Sequence, residues 1–426
     1  MVAGLCASAA TPALASATAG YSHDSSIGLT ETDWMRMLPD SARLSELSLP
    51  GTHDSGASVA GGDSALTQSM SLSTQLNSGI RAWDIRLADV VVAHALPVKK
   101  LGIYHGPFFQ KTLFSFDASR YDYPPTVLQV ADTFLQNHPS ETLLMRIQDE
   151  QPTPGFADKV KTDLDADPHY YRGTSDNPAL GEVRGKIVVL QNFSSPSRVG
   201  IPWRNDCRNP GYLCIQDDYH LTTNWNLADK WRSIKAQLDR AAAGSRNTVY
   251  VNFLSGSGGS FPYFVASGHS SPGTSAPNLL TGWTRGYAGT CFYAYNCLAE
   301  YPSVGCLTYW FFGTRTTCSV AFEGANVLTM QEMDRQKGRP HRYGLIYADF
   351  PGRGLISDVI AANLGAGLGA AMLPATGMGG TPALLGTALA LCVIGAYLAF
   401  DPFARRRVTL RRTSATPARP RSRRTA

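Results

Sequence analysis

Three short segments hold residues suited to acid–base chemistry. Leu49-Pro50-Gly51-Thr52-His53-Asp54-Ser55-Gly56 sets His53 and Asp54 side by side, between glycines that permit a tight turn. Gly79-Ile80-Arg81-Ala82-Trp83-Asp84-Ile85-Arg86 closes a strand-like run on Arg86, and Tyr104-His105-Gly106-Pro107 places a second histidine at a turn. Two histidines and an arginine are what cleavage of a phosphodiester needs. One imidazole takes a proton from the attacking hydroxyl, the other gives one to the leaving oxygen, and the guanidinium stabilises charge on the phosphoryl oxygens. Each acid or base is typically worth about 10²–10⁴ in rate.

Such residues need elements that bring them together. Short, often β-branched apolar runs predict strands at 44–49, 80–87, 142–147, 186–190, 213–216, 248–254 and 345–348, and helical spacing marks 127–137, 156–164, 227–243 and 355–363. This alternation implies an α/β fold, a distorted TIM-type (βα) barrel forming a single catalytic domain over about 21–368. Residues 267–342 break the rhythm and, being rich in Gly, aromatic residues and Cys, read as an insertion before the last strand. In a βα barrel the strand C-termini open on one face. His53, Asp54, Arg86, Glu150, Asp217 and Asp349 each fall just past a strand end and so converge on one pocket.

Other constellations are weaker. His94 lies in a short hairpin-like segment and reads as a surface histidine. Ser255-Gly256-Ser257-Gly258-Gly259 is neither a GxSxG elbow nor a P-loop, and reads as a loop at the barrel mouth. Trp310-Phe311-Phe312 is a candidate lipid contact, with packing beneath disulfides the blander alternative.

The histidine segments resemble the X-region of bacterial phosphatidylinositol-specific phospholipases C. The likeness runs from about Asp33-Trp34 to Asn363 and includes Asn137-His138-Pro139-Ser140-Glu141-Thr142, Val183-Arg184-Gly185-Lys186-Ile187, Gln216-Asp217-Asp218-Tyr219 and Val251-Asn252-Phe253. The resemblance implies that His53 is the general base, oriented by Asp349, and that His105, supported by Asp54, is the general acid. Arg86 binds the phosphoryl oxygens. Glu150, Arg184 and Asp217 match positions that hydrogen-bond inositol hydroxyls, Tyr219 matches one that stacks on the ring, and Trp203 and Asp206 fall near a pocket position. Gln148 or Asp149 stands where the family often has Lys.

The two ends read as addresses. Residues 1–20 carry no charge and contain small-x-small sites, as a secretory signal peptide does. After a linker over 369–380 containing Leu373-Pro374-Ala375-Thr376-Gly377, the uncharged apolar stretch 381–400 is long enough for a transmembrane helix, and the tail 401–426 is Arg-rich. This order resembles a Gram-positive sorting signal, which implies sortase cleavage between Thr376 and Gly377 and joining to peptidoglycan. The expected location is therefore extracellular, cell-wall or membrane anchored through the C-terminus.

The tail carries nine Arg and one Asp, so the chain's formal net charge of +5 leaves −3 for the remainder. Nothing in that remainder suggests nucleic-acid binding. Of the eight Cys, six (Cys207, Cys214, Cys291, Cys297, Cys306 and Cys318) lie outside both terminal segments, with no zinc-site spacing, which suggests three disulfides. Cys207–Cys214 is a plausible local pair.

Taken with the resemblance, the expected reaction is cleavage of phosphatidylinositol, or a glycosylated relative, to diacylglycerol and an inositol 1,2-cyclic phosphate, at a phosphatidylinositol-containing membrane surface. No cofactor or metal is expected, because Arg86 supplies charge that a cation otherwise provides. A same-fold phosphodiesterase on another phospholipid is the rival, as is a surface binding module without activity. Turnover on phosphatidylinositol, glycerophosphodiesters and sphingomyelin separates them.

Overall fold

Apolar runs buried on both faces make the parallel strands of this fold. The computed structural model describes residues 19–91, 99–115, 124–209, 213–222, 226–272, 284–286, 304–309, 315–320, 322–337 and 341–365. In chain order the elements are β1 (Leu49–Thr52), α1 (Leu72–Asn77), β2 (Ala82–Val91), β3 (Lys99–His105), β4 (Phe108–Leu113), α2 (Val127–Asn137), β5 (Thr142–Asp149), α3 (Phe156–Asp165), α4 (Leu180–Val183), β6 (Lys186–Asn192), β7 (Ile201–Pro202) and β8 (Leu213–Gln216). There follow β9 (His220–Leu221), α5 (Leu227–Ala243), β10 (Val249–Phe253), β11 (Ser257–Gly258), α6 (Pro262–Ser267), β12 (Thr284–Gly286), β13 (Val304–Tyr309), β14 (Arg315–Val320), α7 (Ala325–Arg335), β15 (Leu345–Ala348) and α8 (Arg353–Gly365).

The main sheet runs β7-β6-β5-β2-β1-β15-β10-β8, every neighbour parallel. It curls as a distorted barrel but stays open. Among the described residues its outer strands β7 and β8 share no ladder, because β7 has two residues; residues 204–206 beyond β7 bond Leu213 instead, and the Asn205 side chain bonds the Ile215 backbone. Inside lie Leu49, Leu144, Val188, Leu190, Val251, Phe253, Leu345 and Tyr347, all buried. Trp83, Ile85 and Met145, also buried, alternate with the inward Asp84, Arg86 and Arg146 and face the helices. Helices cover the outside. α2 starts on a Thr126–Gln129 capping box and buries Val127, Leu128, Ala131, Phe134 and Leu135, while α5 buries Leu227, Trp231, Ile234, Leu238 and Ala241.

The ten residues of β2 outrun the barrel, and β3 returns antiparallel beside its far half before β4 completes a hairpin. Register pairs Leu87 with Ile103. That return brings His105, at the end of β3, down to the level of Arg86 on β2, which no parallel crossover does.

Several expectations need correction. Residues 44–46 form a 3-10 turn, and the strand begins at Leu49, where the chain first pairs with Leu345. The hairpin β3–β4 and β7 were not expected. Residues 267–342 are not wholly an insertion, since α7 packs with α5, α6 and α8 as barrel wall. Within that stretch, β12, β14 and β13 form a separate antiparallel sheet in which Cys306 and Cys318 are register partners. Cys291 and Cys297 lie outside the described residues; Cys207 and Cys214 are joined by a disulfide.

The C-terminal transmembrane helix is also corrected. Among the described residues no helix is long and apolar enough to cross a membrane. The stretch 381–400, like Thr376 and Gly377, lies outside those residues, so anchoring through the C-terminus has no support in the structure. The chain divides into Met1–Met372 and Leu373–Ala426. Residues 1–18 also lie outside the described part, whereas Gly20, expected within a leader, is buried and accepts a hydrogen bond from the Gly352 N–H.

Candidate active site

His53 stands one residue past β1, and its neighbour strands fix it. Its N–H donates to the Ala348 carbonyl at the end of β15, and Gln68 Nε2 donates to its carbonyl at 2.8 Å. The next residue, Asp54, has φ +42°, a conformation Asp tolerates, and its N–H donates to Asp84 Oδ2. Phe350, after Asp349, has φ +44°, which is rare for a bulky residue; its N–H donates to Thr67 O. The two turns over β1 and β15 thereby aim adjacent side chains at one another.

His53 Nδ1 lies 2.7 Å from Asp349 Oδ1, and Arg86 Nη2 lies 2.8 Å from His53 Nε2. Arginine can only donate. The imidazole proton therefore sits on Nδ1 and goes to Asp349, while Nε2 holds the lone pair. Burial pushes His53 down to about 4, with Asp54 opposing, so the ring is neutral near pH 7. Burial lifts the Asp349 carboxyl to about 8 while His105, Arg86 and Lys230 pull it back, so its anionic form depends on those cations.

His105 Nδ1–H donates to the Ala65 carbonyl at 2.6 Å, leaving Nε2 to face Asp54 Oδ2 at 3.4 Å. The rings of His53 and His105 are 6.4 Å apart and nearly perpendicular. Asp54 lies between them: Oδ2 is 3.5 Å from His53 Nε2, and Oδ1 is 3.0 Å from Arg86 Nε. None of these contacts has hydrogen-bond geometry, so Asp54 acts as a buried negative charge set between the Arg86 guanidinium and the two imidazoles. Burial raises its carboxyl, with Arg86 and both histidines opposing.

Two residues that the sequence reading did not single out for a role hold Arg86. Asp84 Oδ2 accepts from Arg86 Nη2 at 3.1 Å, and its Oδ1 is 2.5 Å from Arg146 Nη1. Burial raises Asp84, but Arg146 and Arg86 outweigh it and hold this carboxyl well below the usual range. The Arg146 guanidinium lies over the Trp203 ring at 4.8 Å. The signal was present in the sequence: Asp84 and Arg146 are charges inside otherwise apolar strands, and a charge there needs a partner.

Glu150 joins the group. Its Oε1 accepts the Gly106 N–H beside His105 at 2.8 Å, and its Oε2 is 3.9 Å from Arg86 Nη1. Gln148 donates to Glu150, at 3.2 Å. Asp217 and Tyr219 follow the end of β8 and are exposed at the same mouth, Tyr219 by 53%.

Arg184 is not brought to the others. It precedes β6 and so lies at the N-terminal end of the barrel, donating to Asp40 at 2.6 Å and to the carbonyls of Met35, Leu38 and Ser140. The expectation that it contacts the head group is corrected: the strand direction carries it to the opposite face.

Beneath the mouth, Lys230 of α5 is fully buried and donates to the Phe253 carbonyl at 2.8 Å. Phe253 stacks on Tyr347 at 4.8 Å and sets its edge against His53 at 5.9 Å. Burial brings Lys230 down to about 8, and Asp217, Asp218 and Asp349 work against that fall.

No family model matches the chain. It is 32% identical over 244 residues to the 1-phosphatidylinositol phosphodiesterase of Listeria monocytogenes serovar 1/2a, covering 53% of this chain and 69% of that relative. It is 28% identical over 265 residues to the Staphylococcus aureus (strain Newman) protein of the same name, covering 55% and 78% respectively. The solved phosphatidylinositol-specific phospholipase C from Listeria monocytogenes superposes with a TM-score of 0.51 at 23% identity, over 79% of this chain and 99% of that one, a likeness of fold. None of these matches bears on sortase or peptidoglycan as partners, which rest on the order of residues 373–377, 381–400 and the Arg-rich tail in the sequence.

Proposed function

The chain belongs to the family of bacterial phosphatidylinositol phosphodiesterases, and from that premise we propose how its site cleaves phosphatidylinositol at a membrane surface. The protein is a phosphatidylinositol-specific phospholipase C working by histidine acid–base chemistry. The observation that carries this reading is the tautomer of His53: Asp349 takes Nδ1–H, and Nε2 is left as the base.

Arg86 donates to that lone pair at 2.8 Å. A phosphodiester entering the site gives Arg86 a better, anionic acceptor, so the guanidinium passes to a phosphoryl oxygen and frees Nε2. His53 Nε2 then takes the proton of the inositol 2-hydroxyl, whose oxygen attacks phosphorus. The bond to the diacylglycerol oxygen breaks as His105 Nε2 delivers a proton to it. Inositol 1,2-cyclic phosphate and diacylglycerol leave. Asp54 stabilises the protonated state of His105, and Asp84 with Arg146 keeps Arg86 in place. Arg86 supplies positive charge at the phosphoryl group, the service a cation gives elsewhere, so no metal is assigned to the reaction.

Glu150, Asp217 and Tyr219 are the proposed head-group contacts, the first two accepting from inositol hydroxyls and the last offering a ring face. Their position around the histidines supports this. The test is turnover of the full chain on phosphatidylinositol, its glycosylated form, glycerophosphodiesters and sphingomyelin. Activity confined to inositol lipids is expected; equal activity on sphingomyelin contradicts the reading.

A further inference from the structure

At the opposite end of the barrel from the histidines, three side chains meet. Asp132 comes from the middle of α2, while Asp167 and His169 come from the turn after α3. That turn is pinned to the start of β6, because the His169 carbonyl accepts the Ile187 N–H at 2.8 Å and Tyr170 bridges Ile187. His169 Nδ1 is 3.0 Å from Asp132 Oδ1 and 4.0 Å from Asp167 Oδ1. The Asp132 and Asp167 carboxyls are within hydrogen-bonding reach of each other, and one donor atom from each of the three residues lies within 4.8 Å of the other two.

Asp167 is the telling member. It is 5% exposed, its Oδ1 accepts the His169 N–H at 2.7 Å, and its Oδ2 is buried with no hydrogen-bond partner. Two carboxyls in contact share a single ring N–H, which satisfies Asp132. A buried carboxylate oxygen without a donor is unfavourable, and the turn holding Asp167 cannot swing it into water. Something positive that fits between the three side chains removes the conflict.

We propose that Asp132, Asp167 and His169 form a binding site for one divalent cation, best matched by Zn²⁺. One imidazole nitrogen and two carboxylate oxygens are a donor set Zn²⁺ accepts at short range, with water completing the shell from the open side, where His169 is 22% and Asp132 33% exposed. His169 gives up its Nδ1 proton on binding. The ion ties α2 to the α3–β6 turn and so fastens the barrel wall. Lying at the N-terminal end of the strands, it takes no part in the reaction.

The test uses the full chain, stripped with EDTA, dialysed and titrated with Zn²⁺, with Mn²⁺ and Ca²⁺ as comparators. One saturable Zn²⁺ site and a Tm that climbs with Zn²⁺ are expected for the wild type. Asp132→Asn and His169→Gln should each weaken that site at least tenfold and remove the Tm rise, with lipid turnover unchanged. The same Zn²⁺ response in wild type and both variants overturns the proposal. So does no response at all, or a response lost in His53→Ala instead, which places the ion at the catalytic histidines.

Discussion

Arg86 Nη2 rests 2.8 Å from His53 Nε2, so the proposed phosphoryl-binding cation and the proposed base hold each other in this structure, and on the proposed mechanism substrate parts them. Arg86→Lys keeps the charge and loses the planar fork that reaches Asp84, Asp54 and His53 together. A fall in kcat/KM of about 10²-fold or more is expected. Steady-state kinetics on phosphatidylinositol check this, and a variant within a few-fold of wild type excludes the exchange.

The same arginine makes a statement about metals. Excess EDTA should leave wild-type turnover unchanged, even where it lowers Tm by emptying the Asp132 site. Loss of turnover with EDTA and recovery on adding Ca²⁺ means that Arg86 has been given the wrong task.

Asp349 trades stability for function. Its carboxyl ordinarily titrates near 3.8 and is lifted by burial to about 8. The unfolded chain therefore ionises it first, and folding stability falls as pH rises from about 4 to 8. Asp349→Asn removes that loss, so its Tm should exceed the wild type by a few degrees at pH 8 and by less at pH 5. Turnover should fall about 10²–10⁴-fold as the base loses its charged partner. A lower Tm at both values sinks this account.

The elements legible in the sequence are those whose periodicity is their own. β8 and β15, and the helices α2 and α5, begin and end where apolar pattern and capping residues place them. His53 and Asp349 were legible because each follows a buried parallel strand. The β3–β4 hairpin was not, since Lys99-Lys100-Leu101-Gly102 looks like a loop until β2 supplies its partner. Arg184 misled because the family resemblance outweighed the strand reading: with a strand expected from 186, a residue two positions before it belongs to the N-terminal face, away from the histidines. Asp84 and Arg146 were in plain view but became informative only as a pair.

Lys230 acts on the base through Asp349, whose carboxylate its buried ammonium favours. Lys230→Met should raise the Asp349 pKa further, and the active form needs that group ionised. The acid limb of the kcat/KM profile should move to higher pH, with plateau activity reduced less than in Asp349→Asn. An unmoved limb leaves Lys230 a packing residue only.

The central claim is the division of labour between His53 and His105, and the leaving group separates their roles. Wild type, His53→Ala and His105→Ala are compared on phosphatidylinositol and on an inositol phosphodiester whose leaving group is p-nitrophenolate, with cyclic product followed by phosphorus NMR. His53→Ala should lose about 10²–10⁴ in rate on both substrates. His105→Ala should lose as much on the lipid but recover most of its rate on the nitrophenyl ester, which departs without a proton. Equal losses for His105→Ala on the two substrates, or near wild-type turnover by either folded variant, contradict the account.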